Sequence, residues 1–225
     1  MNAPITAHRA GFGPGITHIT RHDDPQEPTR LGLAVLKLAV GDRHVETAPV
    51  ETAYLLMSGR VAVKAGGRDA VMSRASLFDE SPSCIHVPAG VTVDITAQSP
   101  AEWTVYRTAN TKSFPPRLFF PQDTADEPRG KGQVGGACLR LVRTIFDGRN
   151  SDAHAELVLG EVVTLPGRWS SYPPHHHAQP EIYHYRFDHP QGYGHAELGD
   201  TVHKVCANDT IRILEGRDHA QCAAP

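Results

Sequence analysis

The feature that most constrains the fold is a succession of short apolar runs, each followed by turn-forming residues. Runs such as LGLAVLKLAV (31–40), TAYLLMSGRVAVKAG (52–66) and EWTVYRTA (102–109) are apolar or alternate with period two. Side chains alternate between the two faces of a strand, so these runs are typical of strands with a buried face. The 20 glycines and 18 prolines are scattered without a period, which favours many turns over long helices. The pattern predicts an all-β protein, a sandwich or a barrel.

The domain organisation follows from where these runs are interrupted. Residues 1–28 are polar and rich in Gly, Pro, His and Asp, which predicts an extended arm. We expect a first β-domain over residues 29–109 and a second over residues 137–225. Between them, residues 110–136 contain four prolines and a Gly-Lys-Gly segment, so we expect a linker without regular ladders. A chain of 225 residues, 40% of them hydrophobic, can bury one large or two modest cores.

Charge and segment composition exclude several classes of partner. The net charge is −3, and no basic stripe with interleaved aromatics is present, so we expect no nucleic-acid partner. The amino terminus lacks the charged start and apolar run of a secretory signal, and no apolar stretch reaches transmembrane length. We therefore expect a cytoplasmic protein with no membrane partner. The four cysteines match no metal or redox spacing, which is typical of reduced, mostly buried thiols.

Two stretches, residues 170–187 and 208–219, carry candidate metal ligands. If the first, SSYPPHHHAQPEIYHYRF, is extended, His175 and His177 point to one face and His176 turns away. Glu181 can join them from beyond the turn that precedes it, and His219 at the end of the second stretch supplies a fourth ligand. Three imidazoles and one carboxylate suit a divalent first-row ion with open coordination positions.

The spacing of these four ligands resembles the two sequence motifs of the cupin superfamily. Leu214 replaces a proline that is usual in cupins, and Asn208 replaces a usual glycine. The stretches GEVVTLPGRWSSYPPHHH, EIYHYRF and PQGYGH resemble the carboxy-terminal half of the 5-deoxy-glucuronate isomerase family. These inositol-breakdown enzymes are related to 4-deoxy-L-threo-5-hexosulose-uronate ketol-isomerase of the pectin pathway. The resemblance implies a bicupin, two jelly-roll β-barrels in one chain.

A weak internal repeat relates the two expected barrels. Glu51 precedes YLLMSG much as Glu181 precedes the YHYRF run, and VPAGVTV resembles the turn before His219. Residues 91–93 are Val-Thr-Val where the closing histidine would lie, and Val45 and Thr47 lie near the positions of the paired histidines. We therefore expect the first barrel to lack metal ligands, and His44 and Glu51 to be without companions. His44 and His86 are interpreted as ordinary polar or partly buried side chains.

The resemblance implies an isomerase, an intramolecular oxidoreductase that interconverts an aldose and a ketose. The implied reaction converts 5-deoxy-D-glucuronate to 5-dehydro-2-deoxy-D-gluconate in myo-inositol catabolism, through an enediol. A metal with open positions can take a carbonyl and an adjacent hydroxyl of a sugar. Zinc is expected by analogy with the uronate isomerases, and manganese, iron or nickel would suit the same ligands. A small sugar acid is the expected partner, and we expect a homo-oligomer.

Candidate catalytic and substrate-binding residues lie beside the ligands. Glu181, Tyr183 and Tyr185 are candidate proton carriers, with His184 as a further alternative. A buried aromatic stripe is the alternative interpretation of the two tyrosines. An arginine suits the carboxylate of a uronate best. Arg186 and Arg212 lie on the motif strands and are the candidates, the alternative being solvated surface charges.

Two other functions are compatible with the same ligands. A cupin dioxygenase or decarboxylase acting on another small acid would use a redox-active metal, and the dioxygenase would consume oxygen. A non-catalytic sugar-binding cupin would bind without turnover. The chain stops six residues after His219, at Pro225. Either the second barrel is truncated at its carboxy-terminal end or it closes differently, and the sequence leaves both open.

Overall fold

The computed structural model describes residues 4–214 and 216–225, and the regular structure there is almost entirely β-strand. Two short 3₁₀ turns interrupt it, at Pro121–Asp123 and Val134–Gly136. In chain order the strands are β1 (Ile5–Ala7), β2 (Gly15–Thr20), β3 (Leu31–Leu38), β4 (Arg43–Thr47), β5 (Glu51–Ala65), β6 (Arg68–Arg74), β7 (Cys84–Val87), β8 (Thr92–Ala97), β9 (Ala101–Thr108), β10 (Arg117–Phe119), β11 (Glu127–Arg129), β12 (Arg140–Phe146), β13 (Leu159–Thr164), β14 (Trp169–His175), β15 (Glu181–His184), β16 (Tyr193–Leu198), β17 (Thr201–Cys206), β18 (Asp209–Ile213) and β19 (His219–Ala223). The all-β prediction is confirmed.

Membrane-spanning helices are not found among the described residues, where no helix has the length and apolar character that a crossing requires.

Contacts divide the chain into two compact units whose boundaries differ from the expected domains. The first unit contains residues 12–125 and 144–160, and the second contains residues 4–11, 126–143 and 161–225. The expected arm is thus divided at Gly11, and its residues 1–3 lie outside the described residues. The expected linker is divided at Ala125. Residues 144–160 belong to the first unit because their apolar side chains join its buried cluster of Ala53, Leu55, Cys84, Phe119, Ile145, Phe146, Leu157 and Leu159.

The proline-rich segment contains more regular structure than expected. Phe119 of β10 is fully buried, and β10 pairs with β7. Strand β11 includes Pro128, which lies opposite Leu141 of β12. Pro128 is tolerated because β11 is an edge strand of the sheet β11-β12-β13, where one side of the ladder needs no donor.

In the first unit, the long strand β5 links two groups of strands through a bend. Residues 51–58 pair with β7 and β9, whereas residues 59–65 pair with β6 and β8. The bend lies at Gly59, which has a φ of 104°. A Cβ at Gly59 would lie 2.4 Å from the carbonyl oxygen of Pro100, so glycine is required there for space as well as for conformation. The buried core of this unit contains Tyr54 and Trp103, both with no exposed surface.

Glu51 in this unit has companions, contrary to the sequence-based expectation. Its carboxylate is fully buried, with Oε1 2.8 Å from Nε2 of His86 and Oε2 accepting from Nδ2 of Asn110 at 2.7 Å. The backbone N–H groups of Glu156 and Leu157 also donate to it, at 2.9 and 3.0 Å. Burial alone would raise the pKa of the Glu51 carboxyl, but these hydrogen bonds lower it below its ordinary value. Glu51 therefore ties its own strand to the segment that precedes β13.

The second unit contains most of the sheet β11-β12-β13 and two further sheets that enclose a small apolar core. The strand orders of these two further sheets are β1-β18-β15 and β14-β19-β16-β17. The buried core residues are Ala196, Leu198, Val205, Ile211 and Ile213. Strand β1 comes from the amino-terminal arm and pairs with β18, with Ile5 opposite Ile211. The Arg9 guanidinium donates to both oxygens of the fully buried Asp209, with Nη2 to Oδ2 at 2.7 Å, which fixes the arm to this sheet.

Candidate metal centre

The two histidines at the facing ends of β14 and β19 lie opposite each other. Trp169 and Ser170 pair with Cys222 and Gln221, and the next pair is His175 with His219. Residues 171–174 therefore oppose a single residue of β19, which is a large bulge. The bulge, rather than simple alternation, brings His175 level with His219, and their ring centroids are 4.6 Å apart.

Glu181 comes from the other sheet, as the first residue of β15, and its carboxylate meets two of the imidazoles. Its Oε2 lies 3.3 Å from Nε2 of His177 and 3.4 Å from Nε2 of His219. One ring nitrogen of each of His175, His177 and His219 lies within 4.8 Å of the others. The structure thus brings together the four residues that the sequence nominated as metal ligands.

The second nitrogen of each imidazole is already engaged by the backbone. Nδ1 of His177 lies 2.7 Å from the carbonyl oxygen of Gln179, and Nδ1 of His219 lies 3.2 Å from that of Arg217. Nδ1 of His175 lies 3.2 Å from the carbonyl oxygen of Ser171. A carbonyl can only accept, so each Nδ1 carries the proton and each Nε2 presents a lone pair. Metal-binding histidines are held in this way by their second nitrogen.

The remaining atoms fit a divalent ion. Glu181 Oε2 and His219 Nε2 are buried and have no hydrogen-bond partner. The side chain of His219 is only 1% exposed. Two ligands at about 2.1 Å from one ion in near-tetrahedral arrangement are about 3.4 Å apart, which matches the measured N···O distances. Burial lowers the pKa of His219 and keeps its imidazole neutral, as a ligand must be. This cluster could therefore hold a metal ion.

His176 lies outside this group. Its Nδ1 is 2.6 Å from Oδ1 of Asp218, and both side chains are more than half exposed. Its neighbours in sequence face the cluster while it faces solvent, as expected for the middle residue of the three.

Tyr183 and Tyr185 follow Glu181 along the same face. The ring of Tyr183 packs edge-on against that of His219, with centroids 6.2 Å apart. Burial raises the pKa of the Tyr183 phenol, and the neighbouring Glu181 carboxylate raises it further. Burial likewise raises the pKa of Tyr185 well above its ordinary value, so both phenols stay protonated at neutral pH.

Gln221 is a site residue that the sequence interpretation missed. It is 5% exposed, and its Oε1 accepts a hydrogen bond from the hydroxyl of Tyr185. Gln221 lies two residues after His219 on β19, so both side chains face the same side. The spacing His-x-Gln was the signal that could have found it.

His184, the last residue of β15, faces away from the ligand cluster and contacts Arg186, which lies two residues beyond the strand. His184 lies opposite Thr210 and its Nδ1 is 2.8 Å from the Thr210 hydroxyl. Its Nε2 accepts a hydrogen bond from Nε of Arg186 at 3.2 Å. Burial, followed by the charge of Arg186, lowers the pKa of His184 to about 3. With both nitrogens engaged, His184 has no lone pair left for proton transfer.

Arg212 lies on the same face as His184, because it pairs with Ile182 rather than with Glu181. Its Nη1 donates to the hydroxyl of Thr6 in the amino-terminal arm at 2.8 Å. The structure therefore separates both nominated arginines from the ligand cluster, and their placement gives no support to a grip on a substrate carboxylate.

One family model matches nearly the whole chain. The model of the KduI/IolB family matches residues 7–225. The chain belongs to the KduI/IolB family. The family resemblance predicted from the motifs is thereby confirmed.

Individual members of the KduI/IolB family and solved structures agree with this placement. The chain is 29% identical over 176 residues to 5-deoxy-glucuronate isomerase of Bacillus velezensis, an alignment that covers 72% of this chain. It spans 63% of the length of that relative. The structure of an IolB-like protein from Salmonella typhimurium matches with a TM-score of 0.82 at 25% identity, covering 95% of this chain and 85% of that one.

The KduI/IolB fold also extends to more distant proteins. A cupin 2 conserved barrel domain protein from Leptotrichia buccalis matches with a TM-score of 0.56 at 12% identity, over 96% of this chain and 88% of that one. A likeness at this level concerns the fold alone. The fold of the chain is therefore cupin-like.

Proposed function

We propose that this chain is a metal-dependent isomerase that converts 5-deoxy-D-glucuronate to 5-dehydro-2-deoxy-D-gluconate in myo-inositol catabolism. Its family, and a relative with the name of this isomerase, support the reaction class. The observation that carries the proposal is the convergence of three imidazoles with Glu181, whose Oε2 has no hydrogen-bond partner.

The proposed architecture is a bicupin of two jelly-roll barrels, one built on each unit. The cupin-like fold and the two sheets around the core of the second unit support it. The first barrel would lack metal ligands, since Val93 occupies the position of the closing histidine. A homo-oligomer in the cytoplasm, acting on a small sugar acid, completes the proposal.

His175, His177, Glu181 and His219 would hold the ion, which we propose to be zinc. When bound, it would supply positive charge to the carbonyl and adjacent hydroxyl oxygens of the sugar. Manganese, iron or nickel would suit the same imidazole and carboxylate ligands, so metal analysis of the purified chain decides among them.

The protein's own groups would move the protons. An aldose and a ketose differ by one proton moved between neighbouring carbons and one moved between their oxygens. Glu181 turns Oε2 toward the imidazoles, which leaves Oε1 as the acceptor for the carbon-bound proton. The neutral phenol of Tyr183, beside Glu181, is suited to exchange the proton between the two oxygens. Tyr185, held by Gln221, would line the same face.

A time course by NMR with 5-deoxy-D-glucuronate tests the proposal. The metal-loaded chain should consume the aldehyde signals and produce a ketone, and a chelator should stop this conversion. A metal-loaded, folded chain that leaves the aldehyde unchanged would contradict the isomerase. Oxygen consumption with another small acid would favour the cupin dioxygenase instead.

Tyr183→Phe tests the proposed proton carrier separately. Loss of a general acid or base lowers kcat by about 10²-fold or more, while metal content should stay unchanged. Tyr193→Phe is the matched control, since Tyr193 packs against Lys204 on another strand, and it should keep the wild-type kcat. An unchanged kcat in Tyr183→Phe would remove Tyr183 from the proton path.

A further inference from the structure

The first unit has a polar cluster on the buried face of its strands, formed by His44, Glu46, Tyr54 and Arg107. His44 and Glu46 of β4 lie opposite Ile95 and Val93 of β8, both of which are core residues. Tyr54 of β5 belongs to the same core, and Arg107 of β9 is only 6% exposed. The cluster thus joins residues of two groups of strands, as the ligand cluster of the second unit does.

Strand pairing places Glu46 at the position of a metal ligand, whereas sequence spacing counted back from Glu51 gives Val45 and Thr47. In the second unit His175 pairs with His219, and in the first unit Glu46 pairs with Val93. Val93 follows its Pro-x-Gly turn by the spacing at which His219 follows Gly216. The first unit therefore puts a carboxylate where the second puts an imidazole.

A guanidinium is paired with this carboxylate. Nη2 of Arg107 donates to both oxygens of Glu46, at 2.8 and 2.6 Å, and the Tyr54 hydroxyl donates to Oε2 at 2.5 Å. Burial alone would raise the pKa of Glu46, but its interactions with His44 and Tyr54 and the charge of Arg107 lower it to about 2. The Glu46 carboxylate is thus ionised, and its charge is paired with the guanidinium of Arg107.

Two nitrogen atoms of the cluster have no hydrogen-bond partner. Nε of Arg107 and Nε2 of His44 are buried without a hydrogen bond. His44 Nε2 is 3.7 Å from Glu46 Oε2, which is too long for a hydrogen bond. A buried donor without a partner costs about 1–3 kcal/mol, and a ligand oxygen would remove that cost.

The cluster is partly exposed, with 20% of the His44 side chain and 25% of the Glu46 side chain accessible to solvent. Ile16 and His18 pair with Leu36 and Ala34, whose side chains are core residues, yet Ile16 is 40% exposed and His18 is exposed. The buried face of the sheet is therefore uncovered at β2 within this unit. At Gly32 a Cβ would lie 3.2 Å from Cβ of Arg107 and 3.3 Å from the backbone nitrogen of His22, so glycine permits the close approach of these residues.

We propose that the first unit contains a second, metal-free binding site for a small hydroxy acid, with Arg107 as the anchor of its carboxylate and His44 as the partner of a hydroxyl. Arginine donates to carboxylates from several N–H groups at once, and one edge of Arg107 is not used by Glu46. The site is metal-free because, within residues 4–214 and 216–225, the one cluster that could hold an ion is that of His175, His177 and His219.

A saturation-transfer NMR titration with D-gluconate tests this site in the whole 225-residue chain. The background variant His177→Ala removes a proposed metal ligand of the second unit, and the substitutions at Arg107 and His44 then assign the binding that persists. D-Glucose is the control ligand without a carboxylate, and it should bind at least about tenfold more weakly. No binding of gluconate to the His177→Ala chain would overturn the proposal, as would equal binding of glucose. Neither result bears on the isomerase proposal, which concerns the second unit.

Substitutions in the same background locate the binding. Arg107→Lys keeps a charge opposite Glu46 but loses the planar fork, so the Kd for gluconate should rise about tenfold or more. Arg43→Lys is the matched control, because Arg43 pairs with Asp94 on the exposed face of the same β4. It should leave the Kd unchanged.

His44→Ala decides the question if Arg107→Lys does not fold. Removal of one hydrogen bond should raise the Kd about threefold or more. An unchanged Kd in a folded Arg107→Lys chain, or in His44→Ala, would contradict the assignment of these residues.

Discussion

Each of the three consecutive histidines has a different environment at the end of β14. His177 has its Nε2 beside Glu181, whereas His176 pairs with Asp218 in solvent. His177→Ala should therefore lose most of the bound metal, while His176→Ala should keep it, as measured by elemental analysis of dialysed protein. Loss of a ligand removes a direct bond to the ion, and loss of His176 removes an exposed ion pair.

The β-structure itself is the control in that experiment. Far-UV circular dichroism should be unchanged in both variants, since neither side chain belongs to the buried core. Stoichiometric metal in His177→Ala would contradict its role as a ligand. Equal loss in both variants would show that the two environments are not distinct in solution.

The buried Glu51 gives a prediction about acid stability. Glu51→Gln should lower the free energy of unfolding by about 3 kcal/mol at pH 7, because the amide turns a donor toward groups that only donate. The pKa of Glu51 is lowered in the folded state, so its contribution is present above the unfolded pKa and is lost as pH falls. The free energies of unfolding of the wild type and of Glu51→Gln, measured with urea from pH 7 to pH 3, should converge below about pH 4.5.

Glu156→Gln is the comparison for that series. Its side chain is 49% exposed and pairs with Lys112, so the free energy of unfolding should change by less than about 1 kcal/mol. A constant difference between wild type and Glu51→Gln down to pH 3 would contradict the lowered pKa.

At the residue scale, the sequence predicted contacts between side chains that are close together along the chain. It missed contacts between side chains that are far apart along the chain. The ligands His175, His177 and Glu181 were nominated from local spacing. The pairing of Glu51 with His86 was not, because 35 residues separate them and no local pattern joins the two strands. Gln221 was missed although its spacing from His219 was readable.

Among the elements, strand β5 requires glycine at its bend, at Gly59. Gly59→Ala should destabilise the protein by more than about 3 kcal/mol, since a positive φ costs about 1–3 kcal/mol and the new Cβ also meets the Pro100 carbonyl. Gly67→Ala is the matched change, with a φ of 75° and nothing within 4 Å of its Cβ. It should cost about 1 kcal/mol. Equal melting temperatures of the two variants would show that the strand can bend without this close approach.

Strand prediction from alternation succeeded where the ladder is regular and failed at its irregularities. The runs that begin at Leu31 and Glu102 fall on β3 and β9. The bulge over residues 171–174 could not be predicted, because opposing strands, not local sequence, determine how many residues face one partner. The expected linker contains β10 and β11 because partner strands outweigh its prolines.

On the scale of the whole molecule, the two units should respond differently to metal. Ligand binding to the folded state alone adds about 2.7 kcal/mol at a concentration of 100 Kd. The ligand cluster belongs to the second unit, so zinc should raise the melting temperature of that unit in calorimetry. The first unit can be followed separately, because in Trp169→Phe the fluorescence comes from Trp103 alone. Zinc should leave the melting temperature of the first unit unchanged. An equal rise in the melting temperatures of both units would contradict the assignment of the metal site to the second unit.

The exchange of segments between the units was beyond prediction from sequence. The amino-terminal arm is polar and looks featureless, yet Ile5 is placed against Ile211 by a strand pairing that spans most of the chain. Residues 144–160 read as part of the second domain, and their burial in the first unit depends on a core assembled much earlier in the sequence.

The pairing of β1 with β18 has a consequence for the order of synthesis. Arg9 and Asp209 are separated by 200 residues, so the first strand leaves the ribosome long before its partner exists. The first unit can gather its segments by residue 160, whereas the sheet that carries Glu181 waits for β18. Until then β1 is a short free strand with a polar flank, and a nascent chain is most exposed to wrong pairing over that interval.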